Sequence, residues 1–137
     1  GNSNWALGAD GNTGSYEVWN RRKGDMARAI LYMDIRYEGG NHANGQPEPN
    51  LIVTNERALV TVTPGGQVPA VGYMAVLDTL LAWHQADPPD ANEILRNEIV
   101  YGFQGNRNPF IDHPEYAACL WQNACTAAAS AGSPSAV

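Results

Sequence analysis

The chain has 137 residues, of which 44% are hydrophobic, which is enough for one domain with an apolar core and too short for two. Eight basic against fourteen acidic residues give a net charge of −6, which argues weakly against a protein whose main task is to grip phosphate backbones. No apolar run approaches the roughly 20 residues needed to cross a bilayer, so no membrane role is expected.

The first 18 residues are dense in Gly, Asn and Ser, which predicts an irregular N-terminal segment. A first helix is then predicted to begin at Asp25, which can cap it after Gly24 and pair with Arg28 at i, i+3 spacing. The helix is expected to end before Gly39. Its predicted core face consists of Met26, Ile30, Met33 and Tyr37.

A minor strand element is predicted in the middle of the chain. The β-branched runs "NLIVTN" and "ALVTVT" favour edge strands or a small hairpin. A second helix is predicted over residues 71–85. The apolar face of that helix consists of Tyr73, Leu77, Leu80 and Leu81, with Trp83 beside them.

Two acidic pairs mark the predicted starts of the remaining helices. Asp90 and Glu93 have the spacing of a capping box, with Asp in place of the usual Ser or Thr, and Asp112 and Glu115 repeat it. The third helix is predicted to bury Leu95, Ile99 and Phe103. The predicted fold class is therefore α+β and predominantly helical.

The two cysteines, Cys119 and Cys125, predict a disulfide bond near the end of the ordered chain. The bond would close a loop of 7 residues, which the chain-entropy model values at about 2.4 kcal/mol. The chain has no CxxC pattern, and no His lies between the two cysteines or just beyond them, so nothing indicates a metal site there. A disulfide in an exported protein is the interpretation, with free thiols as the alternative. Residues 126–137 are Ser- and Ala-rich and are predicted to be a disordered tail.

Several charged groups can carry chemistry, but each has a simpler structural interpretation. Arg21, Arg22 and Lys23 form a basic cluster that can meet phosphate or lie in solvent at the helix entry. Divalent cations need several converging oxygens. Asp87, Asp90 and Glu93 are weak candidates for such a site, since the last two are assigned to a helix start.

The three histidines, His42, His84 and His113, need a positioned partner to act as a general base or a ligand. His113 is the strongest of them because Asp112 and Glu115 are nearby in sequence. Side chains that are close in sequence at a helix start usually point apart, however, so no catalytic residue is identified.

The stretch "QGNRNPF" at residues 104–110 concentrates amides and a guanidinium just after the third helix. Such side chains satisfy loose carbonyls at a helix end, and they also hold phosphate oxygens. Both interpretations stay open: a brace for the turn, or contact with substrate. The candidate substrate-binding residues are Gln104, Asn106, Arg107 and Asn108.

The two blocks "KGDMARAILYMDIRYEG" and "LLAWHQADPPDANEILRNEIVYGFQGNRNPFIDHPEY" resemble the C-terminal half of the endonuclease I family, over roughly residues 19–125. That family comprises secreted or periplasmic bacterial nucleases of the His-Me finger (ββα-metal) group. The resemblance implies metal-assisted cleavage of DNA, often of RNA too, usually with magnesium.

The chain departs from the family pattern in one respect. The family's catalytic block, of the E-H-x-x-P type, lies upstream of the first helix, and none of the histidines here sits in such a motif. No catalytic residue or magnesium ligand is therefore carried over. The chain is expected to be the helical C-terminal portion of an exported nuclease, and inactive by itself.

Two alternatives remain: a non-catalytic secreted module that binds DNA or a protein, and a proteolytic piece of a nicked enzyme. A portion separated from its parent is expected to expose apolar surface. It would then associate with the missing N-terminal part or with itself.

Overall fold

The computed structural model describes residues 4–7, 14–60 and 70–125. The chain divides into two compact units, residues 1–87 and residues 88–137. Helices predominate over short strands, which confirms the predicted α+β class. Within the described ranges, no helix combines the length and apolar character needed to span a bilayer. The predicted tail, residues 126–137, lies outside the described residues, as does the second half of the "ALVTVT" run.

Among the described residues of the first 18, which were expected to be irregular, two short strands are present. β1 (Asn4–Leu7) pairs antiparallel with β2 (Gly14–Glu17), with Trp5 opposite Tyr16. Four-residue strands are too short for their alternation to stand out from the surrounding Gly and Asn, so periodicity did not reveal them.

The first helix, α1 (Lys23–Arg36), follows a single 3₁₀ turn at Asn20–Arg22. It begins two residues earlier than predicted, and no side chain caps it, so the prediction of Asp25 as N-cap was wrong. Asp25 lies in the first turn, where its carboxylate suits the positive end of the helix dipole.

The buried face of α1 differs from the predicted one, since Met26 is exposed. Small side chains allow α1 to approach its neighbours closely, and a large-residue pattern does not detect such a face. The buried residues are Gly24, Ala27, Arg28 and Leu31.

The middle of the chain forms a parallel pair of strands. β3 (Asn50–Thr54) matches the predicted "NLIVTN" strand and pairs with β4 (Val71–Val76), with an irregularity between Ile52 and Val53. The prediction of helix for residues 71–76 was wrong, because pairing with β3, whose residues lie 21 or 22 positions earlier, outweighs local apolar spacing. The described part of "ALVTVT" includes a 3₁₀ turn at Arg57–Leu59.

The second helix, α2 (Leu77–Ala86), starts directly after β4. Its own N-cap residue, Val76, provides no side-chain cap. Asn55, just after β3, supplies the cap instead: its side-chain oxygen accepts from Asp78 N at 2.9 Å, and its amide donates to the Asp78 carboxylate at 3.0 Å. Leu80 and Leu81 are buried as predicted.

The second unit contains three helices, α3 (Ala91–Gln104), α4 (Pro109–Asp112) and α5 (Glu115–Gln122). The Asp90 side chain accepts from Glu93 N at 2.8 Å, which confirms the predicted cap of α3. The same prediction for Asp112 was wrong, because α5 has Pro114 at its N-cap without a side-chain cap. The Asp112 carboxylate is paired instead with the guanidinium of Arg107.

The buried apolar side chains of the second unit are not the ones that the apolar spacing along α3 predicted. The core contains Phe110 and Ala117, which are fully buried. The centres of the Phe110 and Trp121 rings are 5.3 Å apart. Leu95, Ile99 and Phe103 are exposed, Phe103 to 91%, so their assignment to the core was wrong. Periodicity identifies an apolar face but not whether anything packs on it.

The predicted disulfide bond joins Cys119 of α5 to Cys125 just beyond it. The residue that follows α5, Asn123, caps the helix with a left-handed φ of 52°, as is frequent for Asn at this position. The bond therefore ties the last described residues back to α5.

Candidate functional site

The candidate substrate-binding turn in the second unit is organised around Arg107. The guanidinium Nε donates to Asp112 Oδ2 and Nη2 to Asp112 Oδ1, both at 2.8 Å. Nη1 donates to the carboxylate of Glu98 on α3. The guanidinium also lies over the Tyr101 ring, 5.5 Å from its centre. The guanidinium of Arg107, which the sequence suggested as a possible contact for phosphate, is therefore surrounded by two carboxylates and an aromatic ring.

These contacts shift the acid–base equilibria of the groups involved. The hydrogen bonds from Arg107 hold the pKa of Asp112 below its usual range, with a smaller contribution from Asn97. In return, the hydrogen bonds to Asp112 and Glu98 raise the pKa of Arg107. The pair therefore stays ionised at neutral pH.

Asn97, in the middle of α3, connects the helix to the same turn. It is 4% exposed, and its side-chain oxygen accepts from Asn108 N at 2.9 Å. Its amide donates to Asp112 Oδ1 at 3.2 Å. Sequence reasoning missed this residue. Nothing in the local pattern of α3 separates Asn97 from the exposed Asn92, and the residue that it contacts lies 11 residues further along the chain.

The other residues of the turn have distinct positions. Asn108 caps α4, since its side-chain oxygen accepts from Phe110 N at 3.0 Å. Gln104 is the last residue of α3 and is exposed. Gly105 follows with a φ of 74°, a left-handed conformation that glycine adopts without strain. The side-chain oxygen of Asn106 is buried and has no hydrogen-bond partner among the described atoms.

A second polar cluster lies in the first unit, around Arg28, whose side chain has no exposed surface. Nη1 donates to the main-chain oxygen of Asp87 at 2.8 Å, and Nη2 lies 3.6 Å from Asp25 Oδ1, as the sequence spacing predicted. His84 Nδ1 lies 3.5 Å from Nη1. Because arginine has no acceptor, this contact is a hydrogen bond only in the tautomer of His84 that leaves Nδ1 unprotonated.

Gly24 completes this cluster and explains the GD pair at the start of α1. Its N–H donates to Asp87 Oδ2 at 2.9 Å. A Cβ at this position would overlap the main-chain oxygen of Asp87. The end of α2 therefore lies directly against the first turn of α1, and the cluster fixes this contact.

A cavity of about 500 Å³ also lies in the first unit. Its lining is mainly apolar and includes Tyr16, Met26, Met74 and Trp83. Arg57 contributes to the lining as well, and its guanidinium donates to the main-chain oxygens of Val60 and Gly14 at 3.2 and 3.4 Å.

Two of the three weak acidic candidates for a cation site have structural partners, and the third is buried. Asp87 accepts from Gly24 N, and Asp90 caps α3. Glu93 is buried in the second unit. In the part of the chain that the structure describes, no group of three or more His, Cys, Asp or Glu side chains is arranged to hold a metal ion. The described residues therefore do not fit a divalent cation.

The two exposed histidines contact carboxylates near them in sequence. His113 Nδ1 lies 3.2 Å from Glu115 Oε1, and its ring stacks on Tyr116 at 4.7 Å between centres. His42 Nδ1 lies 3.7 Å from Glu48 Oε1. The expectation that His113 and its neighbours point apart was therefore wrong for Glu115.

Comparison with known proteins gives the family. The family model described as "Endonuclease I" matches residues 1–115. The chain is 44% identical over 117 residues to an extracellular ribonuclease of Bacillus amyloliquefaciens and 43% identical over 117 residues to one of Bacillus subtilis strain 168. Each alignment covers 82% of this chain and 36% of the relative. No solved structure matches the chain significantly.

The chain therefore belongs to the endonuclease I family, which is a family of nucleases. It spans about a third of the length of the curated relatives that it matches.

Proposed function

We propose that this chain is the C-terminal portion of a nuclease that hydrolyses phosphodiester bonds in nucleic acid. The observation that carries the proposal is the family match over residues 1–115, together with two relatives above 40% identity that are named as ribonucleases. The sequence resemblance suggested DNA as the first substrate. The names of the relatives favour RNA, so both belong in the assay.

The proposed catalytic metal is magnesium, held by residues of the longer nuclease that are not part of this chain. Members of the family are generally metal-dependent. The described residues offer no cluster that would hold such an ion. Since a metal ion would supply charge stabilisation at the phosphate, this chain by itself is proposed to be inactive.

The turn at residues 104–108 is proposed to brace the nuclease rather than to bind phosphate. Arg107 is matched by two carboxylates, which leave the surroundings of this guanidinium negative rather than positive. Phosphate binding requires the opposite balance. The turn would then act by holding α3 and α4 in position through Arg107, Asn97 and Asn108.

The nuclease is proposed to be exported. The relatives are named as extracellular, and the described residues include a disulfide bond, which suits an oxidising compartment. Retention in a periplasm is the alternative destination.

The exposed apolar side chains of α3 are proposed to be covered by the rest of the longer nuclease. Leu95, Ile99 and Phe103 recur every four residues, so they lie on one face of the helix. Sedimentation of the isolated chain over a range of concentrations tests the alternative partner, a second copy of the chain. A monomer at all concentrations argues against self-association.

A chimera tests the proposed activity. The aligned 117 residues of the B. amyloliquefaciens extracellular ribonuclease are replaced by those of this chain, and cleavage of RNA and of plasmid DNA is measured with magnesium and with a chelator. We expect chelator-sensitive cleavage by the chimera and none by the 137-residue chain alone. Cleavage by the chain alone would contradict its proposed inactivity and make His113, Glu115 and Arg107 the first residues to substitute.

The competing function is a non-catalytic module that binds nucleic acid or protein. A folded chimera that binds nucleic acid but cleaves nothing would support this module and overturn the nuclease.

A further inference from the structure

The three cations of the basic cluster at residues 21–23 have different partners. Arg22 Nη1 donates to Asp25 Oδ2 at 2.8 Å, and Lys23 Nζ donates to Glu17 Oε1 at 2.6 Å. The hydrogen bond from Lys23 lowers the pKa of the Glu17 carboxyl. For Arg21, no carboxylate within the described ranges lies at ion-pair distance. Arg21 is therefore the member of the cluster whose charge is not matched by a described carboxylate.

Arg21 lies instead beside an exposed aromatic ring. Its guanidinium carbon is 6.0 Å from the centre of the Trp19 ring, and Trp19 is 37% exposed. Tyr16, three residues earlier, is 54% exposed and also lines the apolar cavity of the first unit. Two accessible rings and an unmatched cation thus occupy six consecutive residues of a chain whose net charge is −6.

The local backbone holds this group in place. The 3₁₀ turn at Asn20–Arg22 closes with Arg22 N donating to Trp19 O at 2.8 Å, and α1 follows at once. The ion pairs of Arg22 and Lys23 fix the segment on both sides of the turn. Trp19 and Arg21 are therefore presented from an ordered segment, which reduces the entropy that binding would cost.

We propose that Tyr16, Trp19 and Arg21 form a contact surface for single-stranded nucleic acid. The proposal rests on the proposed function for its class of ligand. Trp19 stacks on an unpaired base, while Arg21 donates to the adjacent phosphate, the combination by which proteins hold single strands. Bases in a duplex are already stacked on each other, so the surface favours unpaired RNA or DNA over a duplex.

Binding of the 137-residue chain to a fluorescein-labelled single-stranded oligonucleotide tests this surface. Fluorescence anisotropy is measured with a chelator present, in RNA and DNA versions of one sequence and in the matching duplex, between 50 and 200 mM salt. Trp19→Ala is expected to weaken binding roughly 5- to 150-fold. Arg21→Ala is expected to reduce the slope of log affinity against log salt by about 0.7, the value for one phosphate contact on a single strand.

Arg36→Ala is the matched control. Arg36 also lies over an aromatic ring, 5.2 Å from the centre of Tyr37, but it is paired with Glu48. We expect it to change neither affinity nor salt slope. Arg21→Lys should keep the salt slope, and Trp19→Phe should restore part of the affinity lost in Trp19→Ala. Thermal unfolding of each variant separates these effects from loss of the fold.

Unchanged affinity and salt slope in the folded Trp19→Ala and Arg21→Ala variants would overturn the surface and leave the proposed function standing. A failure of the unsubstituted chain to bind either oligonucleotide would also overturn it, because all three residues lie in this chain. Cleavage by the chimera would show in that case that only the surface had failed. Equal affinity for the duplex would overturn the stacking of a base on Trp19.

Discussion

The guanidinium of Arg107 and the carboxylate of Asp112 meet at two points, with both nitrogen–oxygen distances at 2.8 Å. This planar contact is the geometry that arginine achieves and lysine does not. It joins a residue within the α3–α4 turn to the last residue of α4, and the second carboxylate, Glu98, adds α3 to the same arginine. Arg107 therefore contributes, with Asn97 and Asn108, to holding the shape of the turn.

Removal of this contact should lower the stability of the second unit. Arg107→Ala leaves two carboxylates without their cation, and Arg107→Lys loses the two-point geometry, so both should lower the urea midpoint, Ala more than Lys. Arg36→Ala, which removes a single exposed pair with Glu48, is the control and should change the midpoint less. Equal midpoints for Arg107→Ala and the control would contradict the bracing role.

The buried amide of Asn97 makes a quantitative prediction. Asn97→Ala leaves the N–H of Asn108 without its acceptor. The loss of such a partner at a buried position costs about 1–3 kcal/mol of unfolding free energy. The check is urea denaturation followed by circular dichroism, with Asn92→Ala, an exposed position of the same helix, as the control.

Acid should weaken the second unit through Asp112. Its pKa is lowered on folding, so its contribution is fully present above the ordinary value of 3.8 and is lost as the pH falls through the lower folded value. Unfolding free energy should therefore decrease between about pH 5 and pH 2, and Asp112→Asn should show a smaller decrease over that window. An equally steep decrease in Asp112→Asn would rule this origin out.

Two helical glycines should respond in opposite directions to alanine. Gly24→Ala places a methyl group against the Asp87 oxygen, so it should cost at least about 1–3 kcal/mol, the usual range for overpacking. Gly102 in α3 has open space, and Gly102→Ala should add about 0.5–1 kcal/mol through helix propensity. Thermal unfolding of the two variants measures both. Destabilisation by Gly102→Ala would contradict the open surface.

Substitution of two phenylalanines in the second unit should change the unfolding free energy by very different amounts. Phe110 is fully buried, so Phe110→Ala should cost about 3–5 kcal/mol of unfolding free energy. Phe110→Leu should cost less and leave the chain folded. Phe103→Gln should change the unfolding free energy by no more than about 0.5 kcal/mol because the ring is exposed. A large loss in Phe103→Gln would show that the ring packs in the folded state.

The sequence predicted those elements whose signals are local. The Asp90 cap, the β3 strand, the Leu80–Leu81 face and the disulfide depend on residues close together in the chain. β4 was missed because its strand character comes from pairing with β3. The buried face of α1 was missed because it consists of small residues and an arginine rather than large apolar side chains.

The candidate site was predicted in its residue types but not in its partners. Asn108 and Arg107 were identified from the density of donors in the turn. Their partners Asn97 and Glu98 lie in the preceding helix, where nothing in the local pattern distinguishes them from surface residues. The choice between brace and phosphate contact depends on such partners, so a local sequence pattern does not make it.

The burial of Arg28 has a consequence for how the first unit folds. The Arg28 guanidinium has no exposed surface, so it must form hydrogen bonds to protein acceptors as it loses those to water. A buried charge without such partners would reduce the stability of the fold by several kcal/mol. Asp25 lies on α1 itself, but the Asp87 oxygen arrives only when α2 docks in one axial alignment. Helix pairings shifted by one turn would keep Asp25 beside the guanidinium but would remove its main-chain acceptor on Asp87. Because a hydrogen bond to a buried charge would be lost in any other alignment, Arg28 favours the one axial alignment of α1 and α2 that the structure shows.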